Sequence, residues 1–317
     1  MNKIIELLKE QDNFAVFTHV SPDGDAIGSL FSLVYVLRKM GKKADAYVSG
    51  DIPKRLSFMS EDFGFEYSTE LSDKKEYACC ISVDCADESR LGQYKELYFS
   101  APVTICIDHH VTNKGYGKYN LICGNASSNG EVLFDIFEDL NAFDEISASL
   151  VYAAIASDSG CFGFSNTSAK THICAAKLME YGANCEKYNH KLFFCNAKTT
   201  LRAKVYAMEN TEYYFDDKVA LAVVSDKILE SIGATREDSD DLVRLLKDTE
   251  GVEVAVLLKA FDDRVKVSLR TTNLVDATEI ACRFGGGGHA RAAGCTIFDK
   301  SVDEAKTAVL KTLEEFF

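Results

Sequence analysis

Short apolar runs alternate with stretches of helical spacing through the first two-thirds of the chain. Four runs have the length and residue types of β-strands, at 14–18, 43–48, 77–83 and 103–107. Apolar residues recur at helical spacing in 26–40, 129–140, 146–157 and 169–181. Because the strand-like runs are apolar on both faces and alternate with helices, they predict an α/β fold with a doubly wound, mainly parallel sheet.

A second pattern begins after a helical stretch at 196–210. Strand-like runs at 218–224, 252–259 and 265–270 combine with helical stretches at 238–247 and 302–316, and Phe261-Asp262-Asp263 forms a turn between the last two strands. This pattern predicts a smaller, mixed α/β unit. We therefore expect a first domain at 1–190, a linker helix at 191–210 and a second domain at 211–317.

The charge balance narrows the choice of ligands. The 317 residues include 35 Lys and Arg against 49 Asp and Glu, which gives a net charge of −14. A protein that grips long nucleic acid needs a basic track along the phosphates, so this balance disfavours such a partner. A short phosphate-bearing ligand held by local cations or metal ions stays compatible with it.

The cysteine and apolar patterns bear on the compartment. None of the eleven cysteines forms a C-x-x-C pair, and several lie inside apolar runs, so we expect reduced thiols rather than a disulfide framework. The N-terminal stretch is typical of an amphipathic helix and lacks the apolar core of a signal peptide. No uncharged run reaches the length of about 18 apolar residues that a membrane-spanning helix needs. The expected location is the cytoplasm, with no membrane partner.

Acids and histidines follow several of the predicted elements. They are His19, Asp23 and Asp25 after the first strand, Asp84 after the third, Asp108, His109 and His110 after the fourth, and Asp158 after a helix. A single Asp in such a place is more often a helix cap or turn residue. Several together at the carboxyl edge of a parallel sheet would repel one another, and divalent cations would relieve that repulsion. A mixed Asp and His set favours Mn²⁺, with Mg²⁺ or Fe²⁺ as alternatives.

Five motifs in order resemble those of the DHH phosphoesterases that carry a DHH-associated C-terminal domain. They are HVSPDGDAIGS at 19–29, VDCAD at 83–87, DHH at 108–110, SDSG at 157–160, and FGGGGH at 284–289 followed by AAG at 292–294. The motifs span nearly the whole chain. The chain departs from the family after Asp158, where the family often has a basic residue and this sequence has none before Ser165.

The resemblance implies a role for each motif residue. His19, Asp23 and Asp84 would hold one Mn²⁺, and Asp25, Asp84, His109 and Asp158 would hold a second, with Asp84 bridging. His110 would face the scissile phosphate as a hydrogen-bond donor, and Asp108 would orient an imidazole. The nucleophile would be a water or hydroxide that bridges the two metals.

The second domain carries the candidate substrate-binding residues. The run Gly285, Gly286, Gly287 and Gly288 could be a flexible hinge or a backbone nest for an anion, with His289 beside it. Arg270 could end a strand in solvent or form a phosphate fork, and Arg283 is a weaker candidate. The resemblance favours the nest and the fork, and it implies an active site in the cleft between the domains.

The resemblance also implies a function. The two-domain layout is similar to the nanoRNase and pAp phosphatase branch, whose members cut short oligoribonucleotides and linear dinucleotides such as pApA to mononucleotides, and in some cases dephosphorylate 3′-phosphoadenosine-5′-phosphate. The alternatives are a cyclic di-AMP phosphodiesterase, a non-catalytic nucleotide-sensing module and an inorganic pyrophosphatase. The family makes a homodimer an expected assembly.

Overall fold

The chain folds into two compact units. A computed structural model describes residues 1–71, 75–261 and 263–317, with only the backbone of His289 included. The first unit is Met1–Cys195 and the second is Asn196–Phe317. The turn expected at 261–263 contains Asp262, which lies outside the described residues. Within the described ranges, every helix is too short or too polar to cross a bilayer.

The first unit is built on a five-stranded sheet in which all neighbours pair in parallel. The strands are β1 (Phe14–Phe17), β2 (Ala44–Tyr47), β3 (Cys79–Val83), β4 (Val103–Asp108) and β5 (Tyr119–Ile122). Their order in the sheet is β2-β1-β3-β4-β5, so the direction of winding reverses between β1 and β3. In doubly wound sheets this reversal is where ligands bind, at the carboxyl ends of the strands. The predicted parallel sheet is confirmed, with β5 as a further strand that the sequence pattern did not indicate.

In the described part of the first unit, eight α-helices flank this sheet or connect its strands. They are α1 (Asn2–Glu10), α2 (Gly24–Lys39), α3 (Phe58–Glu61), α4 (Lys95–Ser100), α5 (Asn129–Leu140), α6 (Glu145–Asp158), α7 (Ala169–Glu180) and α8 (Cys185–Asn189). Short 3₁₀ turns at Lys54–Leu56 and Glu88–Tyr94 and a π-turn at His190–Phe194 complete the regular structure.

Two glycines of α2 set how closely it approaches α6. A Cβ atom on Gly28 would lie 2.7 Å from the carbonyl oxygen of Leu150, and one on Gly24 would lie 2.3 Å from Ser157 Oγ. Neither position has room for a side chain, because the α6 backbone blocks it at Gly28 and the side chain of Ser157 blocks it at Gly24. This close packing brings the N-terminus of α2 next to the C-terminus of α6, where Asp158 is the last residue.

The second unit contains a six-stranded mixed sheet. Its strands are β6 (Glu212–Tyr214), β7 (Val219–Ser225), β8 (Val254–Ala260), β9 (Arg264–Thr271), β10 (Gly287–His289) and β11 (Ala292–Phe298), in the order β10-β11-β9-β8-β7-β6. Only the β7–β8 pair is parallel among these described strands. The smaller mixed unit predicted from the sequence is therefore confirmed.

Helices cover this second sheet. They are α9 (Lys198–Glu209), α10 (Asp226–Ser231), α11 (Leu242–Lys247), α12 (Ala277–Cys282) and α13 (Val302–Leu313). The helix expected as a linker corresponds to α9, and its fully buried Ala203 and Ala207 belong to a hydrophobic core of the second unit. A second core in this unit includes Val267, Ile280 and Val309.

Candidate active site

Asp84 lies at the centre of the cluster of acids and histidines. It follows the last residue of β3, its backbone has a φ of 52°, and its N–H donates to the carbonyl of Ile107 at 3.1 Å. The carboxylate is buried, and among the described residues Oδ1 has no hydrogen-bond partner. A left-handed backbone at a buried, unpaired acid is strained, and such strain is usually kept where function requires it.

Two histidines face the two oxygens of Asp84. His19 Nε2 lies 3.6 Å from Asp84 Oδ2, and His109 Nε2 lies 3.4 Å from Asp84 Oδ1. Burial acts to raise the pKa of Asp84, but the facing imidazoles of His109 and His19 outweigh it and lower that pKa below the ordinary value. Asp84 is therefore ionised and flanked by imidazoles on both sides.

His19 and Asp23 lie on the loop after β1, and they form a cluster with Asp84, which follows β3. One ligand atom from each of the three lies within 4.8 Å of the others. The Nδ1 atom of His19 is 2.8 Å from the carbonyl oxygen of Val20, which leaves Nε2 directed at the cluster. Asp23 Oδ1 caps α2 by accepting the N–H of Ala26 at 3.0 Å. Asp23 therefore has the commonplace capping role and a place in the cluster at once.

Asp25 is held by the N-terminus of another helix. Its Oδ2 accepts the backbone N–H of Asn129 at 2.6 Å, and its Oδ1 accepts that of Gly130 at 2.9 Å and the hydroxyl of Ser29 at 3.2 Å. These N–H groups at the start of α5 have no partner within their own helix, and the helix dipole favours an anion there. Asp25 is 1% exposed, and its hydrogen bonds to the start of α5 and to Ser29 fix the position of its carboxylate.

His109 joins Asp25 to Asp158. Its Nε2 lies 3.7 Å from Asp25 Oδ2 and 3.7 Å from Asp158 Oδ2, while its Nδ1 is 3.3 Å from the carbonyl oxygen of Ala126. A histidine that donates Nδ1–H to a carbonyl and presents Nε2 is arranged as metal-binding histidines commonly are. Asp25, His109 and Asp158 form a second cluster of potential ligands, and Asp84, His109 and His110 form a third.

The carboxylates of these clusters are buried close to one another, an arrangement that a bound cation would stabilise. Burial and the neighbouring charge of Asp84 raise the pKa of Asp25 well above its ordinary value, and burial raises the pKa of Asp158 to about 7. Burial acts to lower the pKa of His109, but hydrogen bonding to Asp84 and the charge of Asp25 raise it to about 10. The unpaired Oδ1 of Asp84 and the Asp and His donor set both fit divalent metal ions.

His110 is engaged differently from His109. Its Nδ1 lies 2.8 Å from Oδ1 of Asp108, the last residue of β4, which is fully buried. The other carboxylate oxygen of Asp108 accepts a hydrogen bond from Asn113 Nδ2 at 2.6 Å. Asp108 therefore faces an imidazole and an amide. Sequence reasoning missed Asn113, because a lone Asn in a loop carries no pattern.

A second missed residue lies beside His19. Nη2 of Arg90 is 2.9 Å from His19 Nδ1, and the Arg90 carbonyl accepts the N–H of Val20 at 2.8 Å. Arg90 follows the VDCAD motif by three residues, and nothing in its sequence context distinguished it from a surface arginine. It supplies a cation at the edge of the cluster, next to His19.

The loop after Asp158 has an unusual backbone. Gly160, Cys161 and Phe162 have φ values of 58°, 57° and 66° in succession. The Phe162 ring packs against His172, with ring centroids 5.2 Å apart, and Tyr152, 6.0 Å apart. Residues with side chains rarely adopt this conformation, so the aromatic packing must compensate for the strain.

The substrate-binding residues expected in the second unit lie at one end of its sheet. Arg270 on β9 is half-buried, and it pairs in register with Ala292 on β11, which pairs with the backbone of His289 on β10. Its Nη1 donates to the carbonyl of Leu269 at 3.0 Å, and burial lowers its pKa. Arg283 is engaged elsewhere, because its Nη1 lies 2.7 Å from Glu315 Oε1. The side chain of His289 lies outside the described part of the chain.

The glycine run is packed rather than hinge-like. A Cβ on Gly286 would lie 2.2 Å from the carbonyl oxygen of Gly294, and one on Gly288 would lie 2.5 Å from that of Ala292. The N–H groups of Gly285 and Gly286 donate to Cys282 and Ala281 at the end of α12. Gly287 and Gly288 lie on β10, the edge strand, where the N–H groups that do not pair with β11 are directed away from the sheet.

Comparison with known proteins places this site in a family. A model of the DHH family N-terminal domain matches residues 13–155, and a model of the DHHA1 domain matches residues 216–317. A protein from Thermus thermophilus named bifunctional oligoribonuclease and PAP phosphatase NrnA is 32% identical over 99% of this chain and 94% of its own length. The chain belongs to the DHH family. This confirms the resemblance carried by the five motifs.

Two further relatives match over most of the chain. An NrnA of the same description from Bacillus subtilis is 26% identical over 98% of this chain and 97% of its own length. A cyclic-di-AMP phosphodiesterase, PdeA, from Listeria monocytogenes is 24% identical over 98% of this chain but only 49% of its own length.

Solved structures share the fold of this DHH protein. An exopolyphosphatase-related protein from Bacteroides fragilis superposes with a TM-score of 0.90, at 22% identity, over 99% of this chain and 95% of that one. The exonuclease RecJ bound to manganese superposes with a TM-score of 0.55, at 13% identity, over 99% of this chain and 94% of that one. At these identities the likeness concerns the fold alone.

Proposed function

We propose that this DHH family protein is a metal-dependent phosphoesterase that hydrolyses short oligoribonucleotides and linear dinucleotides such as pApA to mononucleotides, and also dephosphorylates 3′-phosphoadenosine-5′-phosphate. It is a hydrolase acting on phosphoester bonds. The names of the Thermus and Bacillus relatives, which match this chain over nearly its full length, support this substrate class.

The observation that carries the proposal is the buried carboxylate of Asp84, which lies between two groups of ligand atoms and whose Oδ1 accepts no hydrogen bond among the described residues. We infer that His19, Asp23 and Asp84 hold one cation and that Asp25, Asp84, His109 and Asp158 hold a second. Mn²⁺ suits this mixed oxygen and imidazole set, with Mg²⁺ or Fe²⁺ as alternatives. Two such cations, when bound, supply an activated water and offset the charge that develops on the phosphoryl group.

The other site residues act on the substrate. With Nδ1 directed at Asp108, His110 has Nε2 left to donate to the scissile phosphate or to the leaving oxygen. Asp108 holds the ring in that orientation. In the second unit, Arg270, His289 and the glycine run are proposed to bind the part of the nucleotide that is not cleaved, with the outer edge of β10 at Gly287 and Gly288 supplying the backbone donor of the run.

The acidic balance sets an expected limit on substrate length. A net charge of −14 offers no basic track for additional phosphates, so contacts beyond a few nucleotides add little affinity. The enzyme should therefore cut dinucleotides faster than RNAs of about twenty nucleotides.

A substrate panel tests the proposal. Protein stripped of metal is assayed with and without Mn²⁺, Mg²⁺ or Fe²⁺ on pApA, 3′-phosphoadenosine-5′-phosphate, cyclic di-AMP, pyrophosphate and RNAs of two to twenty nucleotides. The expected result is Mn²⁺-dependent release of mononucleotides that is fastest on the shortest linear substrates. Full activity in excess EDTA, or faster cutting of the twenty-nucleotide RNA, would contradict it.

The same substrate panel distinguishes the proposed function from a second one, a cyclic-di-AMP phosphodiesterase. The match to a cyclic-di-AMP phosphodiesterase, though over only half of that protein, favours cyclic di-AMP as the alternative substrate. Preferential turnover of cyclic di-AMP over pApA would support that assignment. Turnover of pyrophosphate alone would support a pyrophosphatase, and binding of nucleotides without turnover would support a sensing module.

A further inference from the structure

The side chain of Asn113 connects the loops that follow β3 and β4. Its Nδ2 lies 2.6 Å from Asp108 Oδ2 and 3.1 Å from the carbonyl oxygen of Cys85, the residue after Asp84. Its Oδ1 accepts the backbone N–H of Gly115 at 2.8 Å. An amide nitrogen has two hydrogens, and both have an acceptor here. The amide is 8% exposed and held on both sides, so its orientation is fixed.

Asn113 in turn fixes the carboxylate of Asp108. One oxygen of Asp108 accepts from Asn113, and the other lies 2.8 Å from His110 Nδ1. Because Asp108 is fully buried, rotating its carboxylate would leave an oxygen and the Asn113 amide unpaired, which is costly in a dry interior. The hydrogen bond from Asn113 therefore fixes the orientation of the Asp108 carboxylate, and that carboxylate fixes the orientation of the His110 imidazole.

We propose that Asn113 is a positioning residue of the reaction, which holds Asp108 and thereby aims the free ring nitrogen of His110 at the scissile phosphate. This inference rests on the proposed phosphoesterase activity and adds to it a residue outside the assigned ligands. Asn113 touches neither substrate nor metal ligand atoms through its described hydrogen bonds, so it acts through the alignment of His110.

Tyr116 offers a matched control in the same loop. Its hydroxyl donates to the carbonyl of Cys85 at 3.0 Å and can accept from the Ser82 hydroxyl, whose Oγ lies 2.9 Å away, and it makes no described hydrogen bond to Asp108. If Asn113 merely tethers the loop to Cys85, removing the Tyr116 hydroxyl should have a similar effect. If Asn113 acts through Asp108 and His110, the two substitutions should differ.

The experiment is a double-mutant cycle on pApA with bound metal measured in each variant. Asn113→Ala should lower kcat about 10- to 100-fold, leave KM within about threefold and leave metal content at the wild-type level, since only alignment is lost. Tyr116→Phe should keep kcat within about threefold. In a His110→Ala background, Asn113→Ala should lower kcat by less than about twofold, because the residue it positions is already absent.

The opposite outcomes overturn the inference. These are a full additional loss in the His110→Ala background, a loss in Tyr116→Phe equal to that in Asn113→Ala, or a fall in metal content in Asn113→Ala. If Asn113→Ala does not fold, Asn113→Leu keeps nearly the same shape and has no donor, and the same cycle is run with it. Wild-type turnover on the substrate panel tests the proposed function separately, and the cycle can use whichever phosphoester the wild type cleaves.

Discussion

The carboxylate of Asp25 accepts the backbone N–H of Asn129 at 2.6 Å across 104 residues of sequence. The N-terminus of α5 thus supports a candidate metal ligand that belongs to α2. Both helices present their N-termini to the carboxyl edge of the sheet, so the ligand and its support are set by the fold rather than by a local motif. The side-chain amide of Asn129 is itself buried, with neither of its polar atoms paired among the described residues.

Asp25→Asn should weaken both metal binding and stability. An amide in place of the carboxylate cannot accept at both positions, so at least one N–H of α5 loses its partner, at a cost of about 1–3 kcal/mol in unfolding free energy. We expect metal content to fall by about one ion per chain, measured by elemental analysis beside chemical denaturation. Asp139→Asn, at an exposed position of α5, is the control and should change neither. Wild-type metal content in Asp25→Asn would exclude Asp25 as a ligand.

Asp84→Asn should abolish activity while the fold survives. Asp84 is shared between the proposed ion sites, so its loss disturbs both, and activity should fall by about three orders of magnitude or more. Asp87→Asn is a matched control, because Asp87 is exposed in the same loop and its Oδ1 caps the N–H of Ser89 at 2.8 Å. Near-wild-type turnover by Asp84→Asn would end the two-metal proposal.

The two neighbouring histidines should separate binding from chemistry. His109 presents Nε2 to three carboxylates, whereas His110 is directed at Asp108. His109→Ala should therefore lose bound metal. His110→Ala should keep its metal and lose kcat by about 10²- to 10⁴-fold, on the scale of a lost proton donor. Equal metal loss in the two variants would show that the roles are wrongly divided.

Arg270→Ala should slow cleavage of pApA about 10²-fold or more, on the scale of a lost charge-assisted clamp. Turnover of bis-p-nitrophenyl phosphate, which lacks a remote phosphate, should fall much less. Arg264→Ala is the control, because Arg264 is exposed at the opposite end of β9. If Arg270→Ala slowed both substrates equally, a general structural effect would replace the clamp.

Asp144 should make stability depend on acid pH. It caps α6, and it accepts hydrogen bonds from Lys39 at 2.7 Å and Tyr35 at 2.8 Å. Burial acts against it, but these partners lower its pKa from 3.8 to about 2. The stabilisation is therefore present above about pH 4 and is lost as pH falls toward 2.

Asp144→Asn gives the comparison for this effect. Asn can keep the cap but loses the charge, so wild type should be more stable by about 1 kcal/mol at pH 6, after allowance for partial exposure. Denaturant unfolding at several pH values should show this gap narrowing as pH falls from 5 to 2. A gap that stays constant with pH would assign the effect to packing instead.

The sequence predicted the main elements of the first unit and most acids of its site. The run at 103–107 and the helical spacing at 129–140 correspond closely to β4 and α5, because these elements are long enough for their apolar period to be read. Strands β5, β6, β10 and β11 were missed. β5 is only partly buried and β10 contains two glycines, so neither has the apolar pattern of a strand.

The contacts between distant segments could not be predicted from the pattern. Asn113 and Arg90 have ordinary contexts, and their importance comes from the partners that the fold brings to them. The glycine run at 285–288 was noticed in the sequence, but the pattern left open whether it is a flexible hinge or a backbone nest for an anion. The structure shows that Gly286 is required because a side chain there would collide with Gly294, which depends on a strand pairing that sequence spacing does not reveal.

The candidate ligands come from positions as far apart as His19 and Asp158, on loops and helix ends that meet only when β1, β3 and β4 are paired. No shorter segment of the first unit brings all of them together, so metal binding and folding of that unit are thermodynamically linked. Each tenfold rise in free metal above its dissociation constant should add about 1.4 kcal/mol per ion to the stability of the first unit. The second unit contributes none of these ligands, so its own unfolding transition should not respond to a chelator.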